Sequence, residues 1–355
     1  MSTEPADPSS SRRRLRRPAS TDVARLAGVS QKTVSRVMNG EPHVKEEVRQ
    51  RVLSVAAQLG YRPNNAARAL LSGRTRRIGV VSLGTALFGP ATVLVAFERE
   101  ARRRGYALSL ANTFEGDPGG IAGAVDDLLE QGVDGIILSE PIDVGPLDLD
   151  VHVPVLVVGD YPGLTAPDVM RTSVSGHRSA RVATQHLLAL GHETVHHVSG
   201  PQRWFSARDR WRGWREALEQ AGRQVPSPFE GDWTAASGYR GGQRLAQDPA
   251  VTAIFAANDD MAIGVIRALT EADLSVPRDV SVVGYDDIPL SGYCNPPLTT
   301  VNQQFQSVAE AGVAALIQRI AHPDEQPPAV DEPSVRMVIR ASSAPPSAAV
   351  PAVVT

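Results

Sequence analysis

Gln31, Lys32, Ser35 and Arg36 recur on one side of the segment DVARLAGVSQKTVSRVMNG, away from Val34 and Val37. One helix face therefore carries donors and charge while the other is apolar. Such a face can reach base edges from its first turns, while hydroxyls and backbone N–H groups near its cap meet phosphate. A second set lies far along the chain, where polar residues follow short apolar runs: Asn258 after AIFAA, Asp286 after VSVVGY and Gln303 after PPLTTV. Arg210 in SARDRWRGW and Trp233 in GDWTAASGY complete it. Its chemistry suits a carbohydrate. An Arg fork donates to neighbouring hydroxyls, carboxylate and amide groups fix hydroxyl orientation, and an indole covers the apolar face of a pyranose. Singly, Arg210 reads as well as a surface charge, Trp233 as a core aromatic and Asp286 as a turn former; it is their combination that favours a ligand.

The first set needs a helix-turn-helix to hold it. Val23, Ala24 and Ala27 give one apolar face, ended by Gly28; Ser30 is placed to cap a second helix carrying Val34 and Val37, ended by Asn39-Gly40; Val44, Val48, Val52 and Ala56 mark a third, closed by Gly60. A fourth helical stretch, Asn64 to Leu71, follows Pro63 and stops at Ser72-Gly73.

The second set needs a cleft. From Arg77 onward IGVVSL, YALSLA, GIILS, PVLVV, TVHHVSG, AIFAAN and VSVVGYDD read as strands, interleaved with helical stretches such as Phe97 to Arg104, Ile121 to Glu130, Ala180 to Leu190 and Asp209 to Gln220. Repeated βα alternation implies parallel sheets covered by helices on both faces. The pattern occurs twice, before and after about residue 172, which predicts two similar lobes. Ligands of open α/β folds lie outside the carboxyl ends of the strands.

Charge separates the two halves. The 355 residues carry a net charge of −3, yet residues 1–77 hold 16 Lys and Arg against 6 Asp and Glu, leaving 20 against 33 in the remainder. A basic module for a polyanion joined to an acidic domain with another task follows. The single cysteine, Cys294, excludes an internal disulfide framework and a Cys-rich zinc site. No apolar run approaches the roughly 20 residues of a membrane helix. Arg12, Arg13, Arg14, Arg16 and Arg17 form a basic cluster with no apolar stretch behind it, which opposes secretion and predicts a cytoplasmic protein. Residues 1–18 and the Pro/Ala/Ser stretch 342–355 are expected to be disordered.

Other chemistries are weaker. His192, His196 and His197 in GHETVHH lack a matching carboxylate or thiol cluster and read as structural histidines. Asp259-Asp260 and Asp286-Asp287 could supply the carboxylate pair of a glycosidase, which would have no use for a basic end. GTALFGP and GDPGG have neither dinucleotide-binding nor P-loop spacing, and no catalytic histidine can be placed beside Cys294. The expectation is a binding protein with no catalytic residue, metal or cofactor. A periplasmic-type solute receptor would require a secretory signal and no basic module; a sugar-acting enzyme would turn its ligand over.

Residues 20–79 resemble the LacI/GalR family of bacterial transcriptional regulators. DVARLAGVSQKTVSRVMNG, HVKEEVRQRVL and LGYRPNNAARALLSGRTRRIGVV match that family's DNA-binding headpiece, hinge helix and first core strand almost without a gap. The resemblance implies an all-α helix-turn-helix headpiece (19–62), a hinge helix and linker (63–76), and an α/β two-lobe core like periplasmic sugar-binding proteins (77–341). Its N-lobe would span about 77–173 and 305–332, its C-lobe about 174–301 and 333–341. It further implies that Gln31, Lys32 and Arg36 read bases, that Thr33, Ser35, Asn39 and His43 mainly hold phosphates, and that Asn64 and Leu70 belong to the DNA side. Leu70 would be the apolar wedge that two hinge helices push into the minor groove, bending the DNA. Where the family often has Thr at the first helix cap this chain has Ala19, so Ser20 or Thr21 is expected to replace it.

In the core, SARDR, GDWTAASGY and Leu87-Phe88-Gly89-Pro90 resemble the family's sugar-sensing members. By position, Ser206 and Arg210 would bind sugar hydroxyls, Asn258, Asp286 and Gln303 would complete a polar wall, and Trp233, Leu87 and Pro90 would contact the apolar side. Two departures stand out: Gly159 followed by Asp160, where an Asp is expected, and Ser175-Gly176, where many relatives have Asp-Asn. The function implied is a repressor of a palindromic double-stranded DNA operator, controlled by a carbohydrate effector; an activator, or a non-sugar effector, is the alternative. One headpiece per chain predicts a homodimer on two half-sites, and the proline-rich C-terminus excludes the leucine-heptad helix of a tetramer.

Overall fold

The computed structural model describes residues 18–38, 40–62, 69, 73–114 and 120–347. The chain divides into two compact units, residues 1–75 and 76–355.

In the first unit, α1 (Ser20–Ala27), α2 (Gln31–Met38) and α3 (Glu46–Leu59) enclose a small core of Val23, Ala24, Ala27, Val34, Val37, Val52 and Ala56. Gly28 ends α1 at φ +65°, a left-handed turn that a side chain would strain, and Gly60 ends α3 the same way. The first cap differs from expectation. Neither Ser20 nor Thr21 caps α1: Ala19 stands at the cap, and the Asp22 carboxylate reaches back to accept from its backbone N–H at 2.9 Å. This is only the return half of a capping box: the acid satisfies the cap residue's own N–H, while the Asp22 N–H, which a cap hydroxyl would have served, turns to the Ala19 carbonyl at 3.0 Å. Residues 1–17 of the expected basic arm, residues 63–68 and 70–72 of the expected hinge and linker, which include Asn64 and Leu70, and Asn39 lie outside the described residues.

The second unit begins with β1 (Arg77–Leu83), α4 (Phe88–Arg103), β2 (Ala107–Thr113), α5 (Gly120–Glu130) and β3 (Gly135–Ser139). There follow β4 (Leu147–Asp148), β5 (Val155–Val158), β6 (Leu164–Thr165) and β7 (Val169–Thr172). Five strands form one parallel sheet in the order β2-β1-β3-β5-β7, while β4 and β6 pair separately. Alternation decides the layers: Ile78 and Val80 pack with α4 residues such as Phe97, whereas Val81 packs with Leu128 of α5. Helix α4 starts at Phe88, well before the expected Phe97, because Pro90 falls in its first turn, where a proline costs no hydrogen bond.

The second lobe repeats the plan with α6 (Gly176–Ala189), β8 (His196–Ser199), α7 (Phe205–Gln220), β9 (Phe229–Glu230), α8 (Ala235–Leu245), β10 (Ala253–Ala256), α9 (Asp259–Glu271) and β11 (Ser281–Val283). Its parallel sheet runs β11-β10-β8-β9. Phe255 and Val283 face α6 and α7 through Leu187 and Trp214, while Ile254 and Val282 face α9 through Val265 and Leu269. Then β12 (Thr300–Asn302) leads into α10 (Phe305–Ala321), whose Val313 and Leu316 return to the first lobe's core, and β13 (Arg336–Val338) pairs antiparallel with β12.

The chain stays packed beyond Ala341, which corrects the expected start of the disordered tail. Ser342 is fully buried, donates to the Val282 carbonyl at 2.6 Å and accepts from the Thr299 N–H at 2.8 Å. Low hydrophobicity misled here, because these residues are held by hydrogen bonds to the sheet. Among the described residues no helix is long and apolar enough to cross a membrane.

Candidate functional sites: an exposed helix face and a cleft

Ser30 caps α2 as its sequence suggests: its hydroxyl accepts from the Thr33 N–H at 3.1 Å and lies 2.9 Å from the Thr33 hydroxyl. With Val34 and Val37 buried in the headpiece core, Gln31, Lys32, Ser35 and Arg36 are exposed, Thr33 is half-buried and His43 is exposed on the following turn. Gln31 Nε2 donates to the Ser20 hydroxyl at 2.8 Å, and Arg36 Nε lies 3.4 Å from Glu41 Oε2. Both contacts are at the surface, so both can be exchanged for contacts with a polyanion. The helix N-terminus adds its own positive potential. This face can bind nucleic acid.

In the second unit a cleft of about 580 Å³ lies between the lobes at the carboxyl ends of their strands. Pro90, Ser206, Arg210 and Gln303 line it, as expected. The other four expected residues stand one layer back. Leu87 packs against the second lobe's core, Asn258 caps α9 and donates to the Trp233 carbonyl at 2.9 Å, and Trp233 is buried edge-on against Trp204, ring centroids 5.4 Å apart. Asp286 sits behind Gln303, whose side-chain amide donates to its carboxylate.

Arg210 is the centre of this arrangement. Its guanidinium stacks 3.8 Å over the Tyr285 ring, donates to the Ala257 carbonyl and lies 3.9 Å from Asp286 Oδ1, while its buried Nε has no partner among the described residues. Arg210 lines the ligand-sized cleft, and a guanidinium held there has donors to offer a hydroxyl. Burial pushes the Asp286 carboxyl up to about 7, against the opposing pull of Arg210.

Sequence reasoning missed the nearer aromatic wall. Trp204 and Phe205 line the cleft, with Trp233 supporting Trp204 from behind. It also missed Glu140 and Asp160, although each follows an apolar strand, the signal that found Asn258 and Asp286. Burial raises the Glu140 pKa, opposed by the Thr113 hydroxyl, which donates to it. Asp209 and His177 also line the cleft, and His177 lies 2.5 Å from Glu216.

The two departures have structural explanations. Gly159 adopts φ +88°, which disfavours any side chain, and Asp160 beside it faces the cleft, 3.9 Å from Arg171. Ser175 caps α6 by accepting from the Arg178 N–H at 3.2 Å, and a Cβ at Gly176 would come 3.2 Å from that of Asp209.

Beside the cleft the lobes are joined directly. The Asp143 N–H donates to the Arg203 carbonyl at 2.9 Å, the Phe205 N–H to the Pro141 carbonyl at 3.0 Å, and Arg208 pairs with Asp143 at 2.8 Å. Ile142 of the first lobe is buried in the core cluster of the second.

Of the histidines and acids set aside above, His192, His197 and Asp259 have structural partners. His192 lies 3.0 Å from both the Thr252 hydroxyl and the Ala344 carbonyl. His197 stacks between Trp214 and Phe255, and burial lowers its pKa to about 4. Asp259 accepts from Ser291, Thr300 and the Ile288 N–H.

Comparison with known proteins extends this picture. The family described as bacterial regulatory proteins, lacI family, matches residues 21–64, and a periplasmic binding protein-like domain matches residues 184–343. The lactose operon repressor of Escherichia coli (strain K12) is 35% identical over 303 residues, covering 84% of this chain and 83% of that protein. The ribose operon repressor of the same strain is 36% identical over 325 residues, 86% of this chain and 94% of its own. The crystal structure of the lac repressor dimer bound to operator and the anti-inducer ONPF superposes with a TM-score of 0.75 at 32% identity, over 92% of this chain and 99% of that one.

Proposed function

Since the chain belongs to the lacI family of bacterial regulatory proteins, we propose that it is a cytoplasmic transcriptional repressor. As a homodimer it binds a palindromic operator, and a carbohydrate held in the cleft between its lobes controls that binding. The observation that carries the reading is the presence in one chain of a capped helix presenting Gln31, Lys32 and Arg36 and of a cleft centred on Arg210 and Gln303. Relatives named as repressors support it, and so does the solved lac repressor dimer on its operator.

Gln31, Lys32 and Arg36 read bases in the major groove, with Thr33, Ser35, Asn39 and His43 on phosphates. Asn64 and Leu70 act at the operator centre, where an apolar wedge unstacks a base step. The sugar places hydroxyls against Arg210, Ser206 and Gln303 and its apolar face against Pro90 and the tryptophan wall; Leu87, Asn258, Asp286 and Trp233 hold these groups in position. The ligand controls DNA affinity only through its preference for one lobe arrangement over another. Nothing in this role calls for catalysis.

Selection from random duplexes tests the DNA half, and thermal shift against a sugar panel tests the other. A palindromic consensus should emerge. At least one sugar should raise the melting temperature and change operator affinity, with about 2.7 kcal/mol gained at 100 times its dissociation constant. Absence of any sequence preference would sink the repressor, and a panel with no binder would sink the carbohydrate.

A further inference from the structure

The headpiece carries more positive charge than its base-reading helix uses. Between residues 8 and 40 stand eight Lys and Arg against one acid, Asp22. Five of the eight, Arg12, Arg13, Arg14, Arg16 and Arg17, fall within six residues ahead of α1. They precede residues 21–64, where the lacI family matches, so they add to the module that the family shares.

The place where this run joins the headpiece is fixed by packing. Ser20 opens α1 and Gln31 opens α2, and the two side chains meet, Gln31 Nε2 donating to the Ser20 hydroxyl at 2.8 Å. Three residues further along each helix, Val23 and Val34 are buried in one core, so the two helix starts stay neighbours when that surface bond is exchanged. Ala19 is extended, at φ −101° and ψ 160°, so the chain departs from α1 there rather than prolonging it. The arginine run therefore joins the headpiece beside the end of α2 whose first turns reach base edges.

Chain length decides what the run can touch. Arg17 is three residues from Ser20, at most about 11 Å of chain, and Arg12 is eight, at most about 29 Å. The major groove is about 12 Å across, and one turn of duplex is about 34 Å long. With α2 in the groove, Arg16 and Arg17 can reach the phosphates that border it, and Arg12, Arg13 and Arg14 can reach those about half a turn away. Guanidinium forks match phosphate oxygens bidentately, and contacts to phosphate carry no sequence information. Each phosphate neutralised releases a counterion, so such contacts appear in the salt dependence of binding.

We propose that residues 12–17 form a phosphate-binding arm that grips the operator duplex beside each half-site and adds sequence-independent affinity to the contacts made by α2. This rests on the repressor reading above and extends it beyond the headpiece that the family shares.

The test compares the full chain with the variant carrying Arg12→Gln, Arg13→Gln, Arg14→Gln, Arg16→Gln and Arg17→Gln together. Affinity is titrated between 50 and 200 mM salt on the selected operator and on a random duplex of equal length. If two arginines of each arm hold phosphates, a dimer loses four contacts, and the slope of log affinity against log salt should become shallower by roughly 3 to 4 on both duplexes. The ratio of operator to random-duplex affinity should stay within about twofold of wild type, because the arm reads no base edge. Should the Gln variant fail to melt at the wild-type temperature, a chain lacking residues 2–17 carries the comparison. The proposal is overturned if the slope changes by less than about 1, the loss of a single phosphate contact, or if the ratio falls with the slope. It is also overturned if the variant binds DNA more tightly than wild type, as it would if the arm lay on the acidic second unit instead. Should selection yield no operator, the repressor reading fails, and the slope on the random duplex still decides the arm.

Discussion

The candidate base-reading residues, Gln31 to Arg36, sit in one helix of eight residues, whereas the cleft draws its walls from residues as distant as Gly89 and Glu332. In the headpiece, burial of Val34 and Val37 forces Gln31, Lys32 and Arg36 outward, so helical periodicity alone gives their orientation. In the cleft, a side chain's orientation depends on how strand ends from two lobes meet. The contrast extends to electrostatics. Arg36 is half exposed and loosely paired, while Arg210 is buried against Tyr285 and Asp286.

That contrast predicts two separable defects. Arg210→Ala removes a buried charge from a hydrogen-bonded group, so ligand binding should weaken by about 2 to 5 kcal/mol and the operator response should be lost. Operator affinity without ligand should stay at the wild-type level. Arg36→Ala should cost roughly 1 to 3 kcal/mol on the chosen operator and leave ligand binding untouched. Gel shifts on specific and scrambled DNA, with calorimetry on the effector, separate the two. Equal loss on both DNAs would mean that Arg36 touches only phosphate. A response to ligand at wild-type concentration in Arg210→Ala would break the assignment of the cleft.

Legibility followed the same division. The headpiece helices, their glycine ends and the Ser30 cap could be read from spacing because the signals are local. The Ala19 cap could not, since no hydroxyl marks it and Asp22 supplies only the return bond to the Ala19 N–H. The alternating strands were readable, and so were Arg210, Ser206, Pro90 and Gln303 as cleft residues. Trp233 was placed on the wrong layer: the sequence marks a polar or aromatic residue near a strand end but not which of two indoles stands in front. Trp204 takes that position because the Asp143–Arg203 and Pro141–Phe205 backbone bonds fix the start of α7, a contact between lobes that no local pattern announces.

Buried charge in the second lobe gives the next largest effect. The Asp286 carboxyl is raised from 3.8 to about 7, so the folded state keeps its proton where the unfolded chain has lost it. Its contribution to stability therefore declines as pH rises from about 4 to about 7. His197 is lowered from 6.5 to about 4, so the unfolded chain binds the proton first, and its contribution declines as pH falls through the same range. The two slopes oppose each other. Asp286→Asn should remove one and leave the other, making stability rise between pH 4.5 and 6.5 more steeply than in wild type, by on the order of 1 kcal/mol per pH unit. Urea unfolding at three pH values would measure it, and an unchanged slope would show that Asp286 is ionised throughout.

The smallest effect belongs to the contact that joins the lobes. Asp143 and Arg208 are 2.8 Å apart, with side chains 36% and 33% exposed. The Gly145 N–H, which donates to Asp143, and then Arg208 hold the Asp143 carboxyl below the usual range. A pair this accessible is worth about 0.2 to 1 kcal/mol. Asp143→Asn deletes the charge but keeps an acceptor for Gly145, and the two backbone bonds between the lobes do not depend on the side chain. Ile142, buried among second-lobe residues, remains in place as well. Ligand affinity should therefore change by less than about fivefold, and the difference should vanish in 1 M salt, where screening acts over about 3 Å. Titration calorimetry at low and high salt measures both. A loss beyond tenfold that persists in salt would mean that this joint, rather than the walls around Arg210, sets the affinity of the cleft.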